Sequence, residues 1–157
     1  MTGKRMLSVL FIMGFTIFTM NTAALADIKA EMQGVSDPKR AKLNYMLHCQ
    51  GCHRPDGLGD THSTPPLVDE LGQFTTIPEG RAYIVRVPGV AMAPISDKAL
   101  AELINWMMWQ FDAPNLPEDF RPFGPEEVHK LRKSPLRSET SAVRSRLVGE
   151  IKAQSNR

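Results

Sequence analysis

The sequence lacks the signals of several common protein classes. Its 157 residues are too few for a barrel or a doubly wound α/β enzyme, and two cysteines exclude a small scaffold held by several disulfides. The hydrophobic fraction of 42% is too high for a disordered chain. Beyond the N-terminus no apolar run is long enough to span a membrane. We therefore expect one domain of ordinary size with a tail.

The first 26 residues have the three-part pattern of a secretory signal peptide. A basic start (Lys4, Arg5) precedes an almost wholly apolar stretch over residues 6–20, and residues 24–26 form a small-x-small cleavage pattern. We expect cleavage after Ala26, export to the periplasm and no membrane span in the mature chain. A retained membrane anchor is the alternative interpretation.

Charge is distributed unevenly along the mature chain. Residues 27–157 contain 17 basic and 17 acidic residues, so their formal charges cancel. After position 129, however, eight basic residues face two acidic ones, which gives this segment a net charge of +6 and leaves −6 on residues 27–129. The mature chain therefore combines an acidic body with a basic end.

Capping residues, prolines and apolar spacing predict an all-α fold. Asp37 and Ser96 are placed to cap helices, and helices are predicted over residues 38–49, 78–87, 97–113, a short stretch from 125, and 138–154. The loop over 51–66 contains too many glycines and prolines for a regular element. No strand-like alternation of useful length is present.

The residues that carry chemistry are Cys49, Cys52 and His53, in the sequence CQGCH. This C-x-x-C-H pattern is typical of covalent c-type haem attachment. Two thiols three residues apart near a helix end can each add to one vinyl group of the same porphyrin edge, and the adjoining histidine can then bind the iron. A buried haem also supplies apolar surface that a small domain needs for its core.

Two other sites use similar residues. A thioredoxin-like redox pair would need a strand before the motif, and none is visible. A zinc site could use Cys49, Cys52, His53 and His62, but no second paired cluster completes it.

Residues 37–112 resemble the small class I monohaem c-type cytochromes. The resemblance comprises a helix running into CQGCH, the loop RPDGLGD, the sequence TPPL, a methionine in a proline-rich loop (AMAP) and the closing helix SDKALAELINWMMWQF. It implies a small helical haem domain over residues 27–112 with one covalently bound haem c. The residue pattern beyond it predicts a proline-punctuated, basic, partly helical extension over 113–157.

The resemblance also implies roles for individual residues. Pro65 is similar to the proline whose carbonyl accepts a hydrogen bond from the haem histidine, a bond that fixes the imidazole tautomer. Trp106 is similarly placed to the aromatic residue through which the closing helix contacts the first one. Met92 lies in the loop that supplies the second iron ligand in the family.

Alternatives remain for the second iron ligand. His62 could replace Met92, or the position could be open. Met107 and Met108 fall on the apolar stripe of a predicted helix, so we expect them in the core. Arg81 and Arg86 could neutralise the haem propionates, and a solvated helix face is the alternative.

A haem iron with both axial positions filled exchanges single electrons and does not bind substrate. We therefore predict an exported electron carrier between redox proteins, which could serve an exported dehydrogenase. We predict neither an enzyme nor a nucleic-acid-binding protein. The alternative is a haem sensor or peroxidase-like protein with an open iron position.

The basic extension over 113–157 lies outside the resemblance. One interpretation is that it docks a redox partner, since charge complementarity speeds encounter; binding to anionic lipid is a weaker option. The other interpretation is that its apolar stripe packs back on the haem domain. That stripe comprises Val143, Leu147, Val148 and Ile151.

Overall fold

The computed structural model describes residues 32–60 and 63–156. The signal peptide predicted over 1–26, its cleavage after Ala26, and His62 lie outside these residues. The described part contains helices and no strand, which confirms the all-α prediction. None of its helices is long and apolar enough to cross a bilayer.

Seven α-helices and two short 3₁₀ segments follow one another in the described chain. The 3₁₀ segments are Gly72–Thr76 and Ala113–Asn115. The α-helices are α1 (Pro38–His48), α2 (Gln50–His53), α3 (Pro78–Arg86), α4 (Pro88–Ala91), α5 (Asp97–Asp112), α6 (Pro125–Arg132) and α7 (Thr140–Ser155).

The predicted capping residues begin the helices that frame the fold. The Asp37 side chain accepts a hydrogen bond from the Arg40 backbone N–H at the start of α1, and the Ser96 side chain accepts one from Ala99 N–H at the start of α5. Both caps satisfy donors that the first helical turn leaves unpaired. These helix starts were predictable because the signals lie within a few residues of each start.

Helix α5 forms the centre of the hydrophobic core and crosses α1. Trp106 contacts Tyr45 of α1 with ring centroids 5.5 Å apart, which confirms the predicted aromatic contact between the two helices. Met107 and Met108 are buried, with 3% and 0% of their surface exposed, so they are core residues as predicted.

The C-terminal extension packs back on the rest of the domain. Leu147 and Ile151 of α7 are buried, as are Phe123, Val128 and Leu136. The chain between α6 and α7 is also joined to α3, because Leu136 N–H donates to the Arg86 carbonyl at 2.8 Å. The packed-back interpretation of the apolar stripe is therefore the one that the structure shows.

Three arginines of the extension pair with acidic residues of the acidic body. Arg132 pairs with Asp97, Arg144 with Glu70, and Arg146 with Glu79. Much of the uneven charge seen in the sequence is thus matched inside the molecule.

Candidate functional site

The two cysteines lie where α1 gives way to α2. Cys49 caps the C-terminal end of α1 and is half-buried, whereas Cys52 is exposed within α2. No disulfide joins them. The backbone N–H groups of Cys52 and His53 donate to the Cys49 carbonyl at 3.1 and 2.9 Å, so one short turn carries all three side chains of the motif.

Burial and the neighbouring Cys52 raise the pKa of Cys49 to about 11. Burial disfavours the thiolate, and a second thiolate nearby would disfavour it further. At neutral pH Cys49 is therefore a protonated thiol, unlike the low-pKa nucleophilic cysteine of a thioredoxin-like site.

The loop after the motif returns to the histidine that ends α2. Gly59 N–H donates to the His53 carbonyl at 3.1 Å, and Leu67 N–H donates to the Gly57 carbonyl at 2.7 Å. Gly59 has a φ of +66°, and a Cβ there would lie 2.2 Å from the Thr64 carbonyl oxygen and 2.8 Å from that of Pro65. Only glycine permits this close approach of backbone to backbone.

The Pro65 carbonyl consequently lies beside the His53 ring. Burial, the larger effect, lowers the pKa of His53, while the Pro65 carbonyl raises it, and the net shift is downward. His53 Nδ1 is buried and has no partner that meets hydrogen-bond geometry within the described part of the chain. The lowered pKa favours the neutral form of the ring, and the Pro65 carbonyl lies close enough to oppose part of that shift.

The motif lines an apolar cleft of about 300 Å³. Its walls come from the motif, from the loop at 63–71, and from α3, α4 and α5. Its apolar lining consists of Pro65, Pro66, Leu67, Leu71, Phe74, Tyr83, Ile84, Val87, Val90 and Met107. A concave, mainly apolar site with a few convergent polar groups is the usual form of a cofactor site.

These residues fit a covalently attached haem. Both cysteines, the imidazole and Pro65 line the same cleft; burial favours the neutral imidazole that metal binding requires; and the Pro65 carbonyl beside the ring can accept a hydrogen bond from an imidazole N–H. The predicted grouping of Cys49, Cys52, His53 and Pro65 in one place is what the structure shows.

Met92 is placed differently from what a second iron ligand requires. It caps the C-terminal end of α4, its surface is 73% exposed, and it does not line the cleft. The structure does not bring Met92 together with His53. Met107 of α5 is the methionine whose side chain lines the cleft among the described residues.

The segment around Met92 is held by the extension. The Arg132 guanidinium of α6 donates to the carbonyls of Ala91, Ala93 and Ile95 at 2.9, 2.5 and 3.0 Å. These three bonds fix the backbone on both sides of Met92.

Arg81 and Arg86, which the sequence suggested as partners of haem propionates, do not line the cleft. Arg81 is buried, donates to both carboxylate oxygens of Glu127 at 2.7 and 2.8 Å, and lies over the Phe123 ring at 3.8 Å. Arg86 donates from Nε to the Ser134 carbonyl at 2.8 Å. Both arginines therefore bind the extension, because the extension covers the face of α3 that sequence reasoning treated as free.

Sequence reasoning missed the residues that α7 contributes to the cleft. Thr140 and Arg144 line it, opposite Glu70 of the loop before the first 3₁₀ segment. Arg144 pairs with Glu70, and its guanidinium lies 5.8 Å from the centroid of the Phe74 ring. The only local signal was the apolar stripe of α7, which indicates that the helix is packed but not what it packs against.

The two other sites considered for the motif are less well supported by the fold. The motif follows a helix, whereas a thioredoxin-like site follows a strand. Over residues 32–60 and 63–156 no three His, Cys, Asp or Glu side chains are grouped to hold a metal ion.

Comparison with known proteins supports the resemblance to c-type cytochromes. Over 106 residues the chain is 27% identical to cytochrome c-552 of Thermus thermophilus, in an alignment that covers 56% of this chain and 81% of that protein. Another cytochrome c-552, from a specified strain of Thermus thermophilus, is also 27% identical over 106 residues, with 72% of its length covered. No family model matches the chain, and no solved structure matches it.

Proposed function

We propose that this chain is an exported monohaem c-type cytochrome that passes single electrons between redox proteins. The observation that carries the proposal is the convergence of two thiols and a neutral imidazole on one apolar cleft. The similarity to two cytochromes c-552 supports it.

Each residue of the motif has a separate task in this proposal. The Cys49 and Cys52 sulfurs tether the porphyrin as thioethers. His53 offers Nε2 to the iron, because its Nδ1 faces the Pro65 carbonyl, and such a bond fixes the tautomer and the donor strength of the ring. A haem bound there supplies one-electron oxidation and reduction at iron.

The walls of the cleft would affect the reduction potential of a bound haem. Leu67, Leu71, Ile84 and Val87 make part of its lining apolar, and an apolar environment disfavours additional charge. Such a lining would favour the less charged, reduced state of a bound haem and so raise its reduction potential.

Redox proteins are the expected partners, and export remains a prediction from residues 1–26. Lys130, Lys133 and Arg137 are exposed on the extension. They could still attract an acidic partner, although the extension itself is packed on the domain.

A denaturing gel stained for haem tests the attachment. We expect the mature wild-type protein to keep its haem, the Cys49→Ala/Cys52→Ala variant to lose it, and His53→Gln to keep it with an altered absorption spectrum. His129→Gln is the matched control, because His129 is exposed and bonds to Asp97 at a place outside the cleft. A colourless wild-type protein whose thiols both react with an alkylating agent would contradict the proposal.

The exposure of Met92 specifically favours a second candidate function. A chain with no sulfur at the sixth position would be a haem sensor or peroxidase-like protein with an open iron site. Rapid binding of carbon monoxide or cyanide by the purified protein would support this candidate. A sulfur-to-iron charge-transfer band in the ferric spectrum, lost in Met92→Ala, would support the carrier with Met92 as ligand.

A further inference from the structure

Arg144 of α7 occupies an unusual position for a residue of the extension. Its side chain is 26% exposed and lines the cleft together with the motif. It pairs with Glu70, and the Phe74 ring beneath it stacks on Tyr83 with centroids 5.3 Å apart. Arg144 is thus a residue of the extension that forms part of the wall of the candidate haem site.

A haem in this cleft would bring two carboxylates that need partners. Its propionate groups are carboxylates, and a carboxylate placed in an apolar cleft needs a paired charge or several hydrogen bonds. Among the described residues that line the cleft, Arg144 is the one with a permanent positive charge. Arg81 and Arg86, the two arginines that the sequence suggested, are engaged with Glu127 and Ser134 outside it.

Resting on the proposed function, we propose that Arg144 binds the anionic edge of the haem, so that the extension is part of the cofactor site. A planar guanidinium can donate to two carboxylates at once. The pair with Glu70 holds the guanidinium at the cleft before the cofactor arrives, which reduces the entropy lost on binding.

The placement of α7 makes Arg144 a fixed group. Leu147, one turn further along α7, is fully buried, and Ile151 is buried after it. Arg146 secures the other side of the helix by donating to Glu79 and Glu150 at 3.1 and 2.7 Å. Arg146 does not line the cleft, so it serves as a matched control on the same helix.

The reduction potential of the holoprotein, measured from pH 4 to 9, tests this role. A nearby cation lowers the pKa of a carboxylic acid, so Arg144→Gln should move the pH-dependent region of the potential upward. Losing the positive charge should also favour the oxidised state about tenfold at pH 7, which lowers the potential by about 59 mV for one electron. Arg144→Lys should recover most of this change, and Arg146→Gln should leave the curve unchanged.

In the holoprotein the other titratable groups in the described lining are Glu70, His48 and Tyr83, because the two cysteines would be thioethers and His53 would bind the iron. Glu70→Gln removes the competing carboxylate and should shift the pH-dependent region in the opposite direction. It carries the test if Arg144→Gln does not yield holoprotein.

The outcomes separate this inference from the proposed function. The role of Arg144 alone would be overturned if the wild-type protein holds haem but Arg144→Gln leaves the pH dependence of its reduction potential unchanged. If Arg144→Gln yields no holoprotein, the same result with Glu70→Gln would overturn it. Equal effects of Arg144→Gln and Arg146→Gln would overturn it too, because the change would then reflect general surface charge. A wild-type protein without haem would overturn both.

Discussion

Two segments carry the residues that the sequence nominated as iron ligands, and they are held in different ways. The thiol segment, residues 49–60 and 63–67, has hydrogen bonds within itself: Gly59 N–H donates to the His53 carbonyl, and Asp60 N–H donates to the Thr64 carbonyl. The Met92 segment, residues 87–97, has three carbonyls bound by Arg132, which is 37 or more residues away in sequence.

The difference shows how far the placement of each segment depends on residues near it in the sequence. A segment whose contacts are local can be understood from its own sequence, because motif, glycines and proline together determine its path. A segment fixed from a distance cannot, and the exposure of Met92 follows from contacts that its own neighbours do not encode.

The largest effect is expected from removing residues 125–157. This truncation exposes the faces covered by four buried side chains (Val128, Leu136, Leu147 and Ile151), each worth about 1.5–3 kcal/mol. The sum approaches the whole stability of a typical domain, about 5–15 kcal/mol, so we expect little folded protein. Thermal unfolding followed by circular dichroism measures this, and a cooperative transition at the wild-type temperature would show that the extension is dispensable.

Gly59→Ala should break the thiol segment from within. Alanine at a φ of +66° destabilises the fold by about 1–2 kcal/mol. Its clash with the Thr64 carbonyl also breaks the hydrogen bond from Asp60 N–H to that carbonyl, which is worth about 1 kcal/mol. We expect a loss of about 3 kcal/mol in the free energy of unfolding by denaturant titration.

Gly149→Ala provides the control for that substitution. Gly149 lies within α7, and no heavy atom lies within 4 Å of the Cβ that it would gain. Alanine there should stabilise the protein by about 0.5–1 kcal/mol. If both glycine variants were destabilised alike, the special conformation at Gly59 would not be the cause.

Arg132→Gln should loosen the Met92 segment and leave the thiol segment intact. Three carbonyls lose their donor, and we expect about 2 kcal/mol of destabilisation. Hydrogen exchange should quicken at the amides of Met92 and Ala93, and not at that of Gly59. Arg137→Gln is the control, since this exposed side chain has no bonded partner among residues 32–60 and 63–156, and its effect should stay within about 0.5 kcal/mol.

The smallest effect concerns Glu102, which joins α5 to the chain just before α1. Its Oε1 accepts hydrogen bonds from Ser36 N–H, Ser36 O–H and Asp37 N–H at 2.6, 2.6 and 2.7 Å. Burial raises the pKa of Glu102, but these hydrogen bonds outweigh it and the net shift is downward.

A lowered carboxylate pKa contributes stability that is present above the unfolded-state value and is lost as the pH falls through the folded-state value. Glu102→Gln should therefore cost about 1 kcal/mol at pH 7, and the difference from wild type should shrink below about pH 4.5. A difference that stayed constant with pH would mean that the charge of Glu102 is not involved.

The fold was predictable where signals are local. Asp37 and Ser96 begin their helices as expected, because a cap and the donor that it satisfies are separated by only three residues. The grouping of the side chains of residues 49–53 was equally predictable, because all of them lie on one short turn.

Features that depend on distant contacts were not predictable. The 3₁₀ segment Gly72–Thr76 is tied to the end of α5, where the Asp112 carboxylate accepts a hydrogen bond from Gly72 N–H at 2.5 Å. The sequence suggested that Arg81 and Arg86 were available to bind haem, because no residue near them in the sequence indicates that they bind Glu127 and Ser134. Arg144 was overlooked for the same reason: its partner Glu70 lies 74 residues earlier.

The chain order of the cleft has a consequence for how the protein matures. Thr140 and Arg144 follow every other residue of the cleft lining in the sequence, so the thiols emerge from synthesis long before the wall that faces them. Until α7 is made and docked, the cleft lacks this part of its lining, so its complete form requires nearly the whole chain.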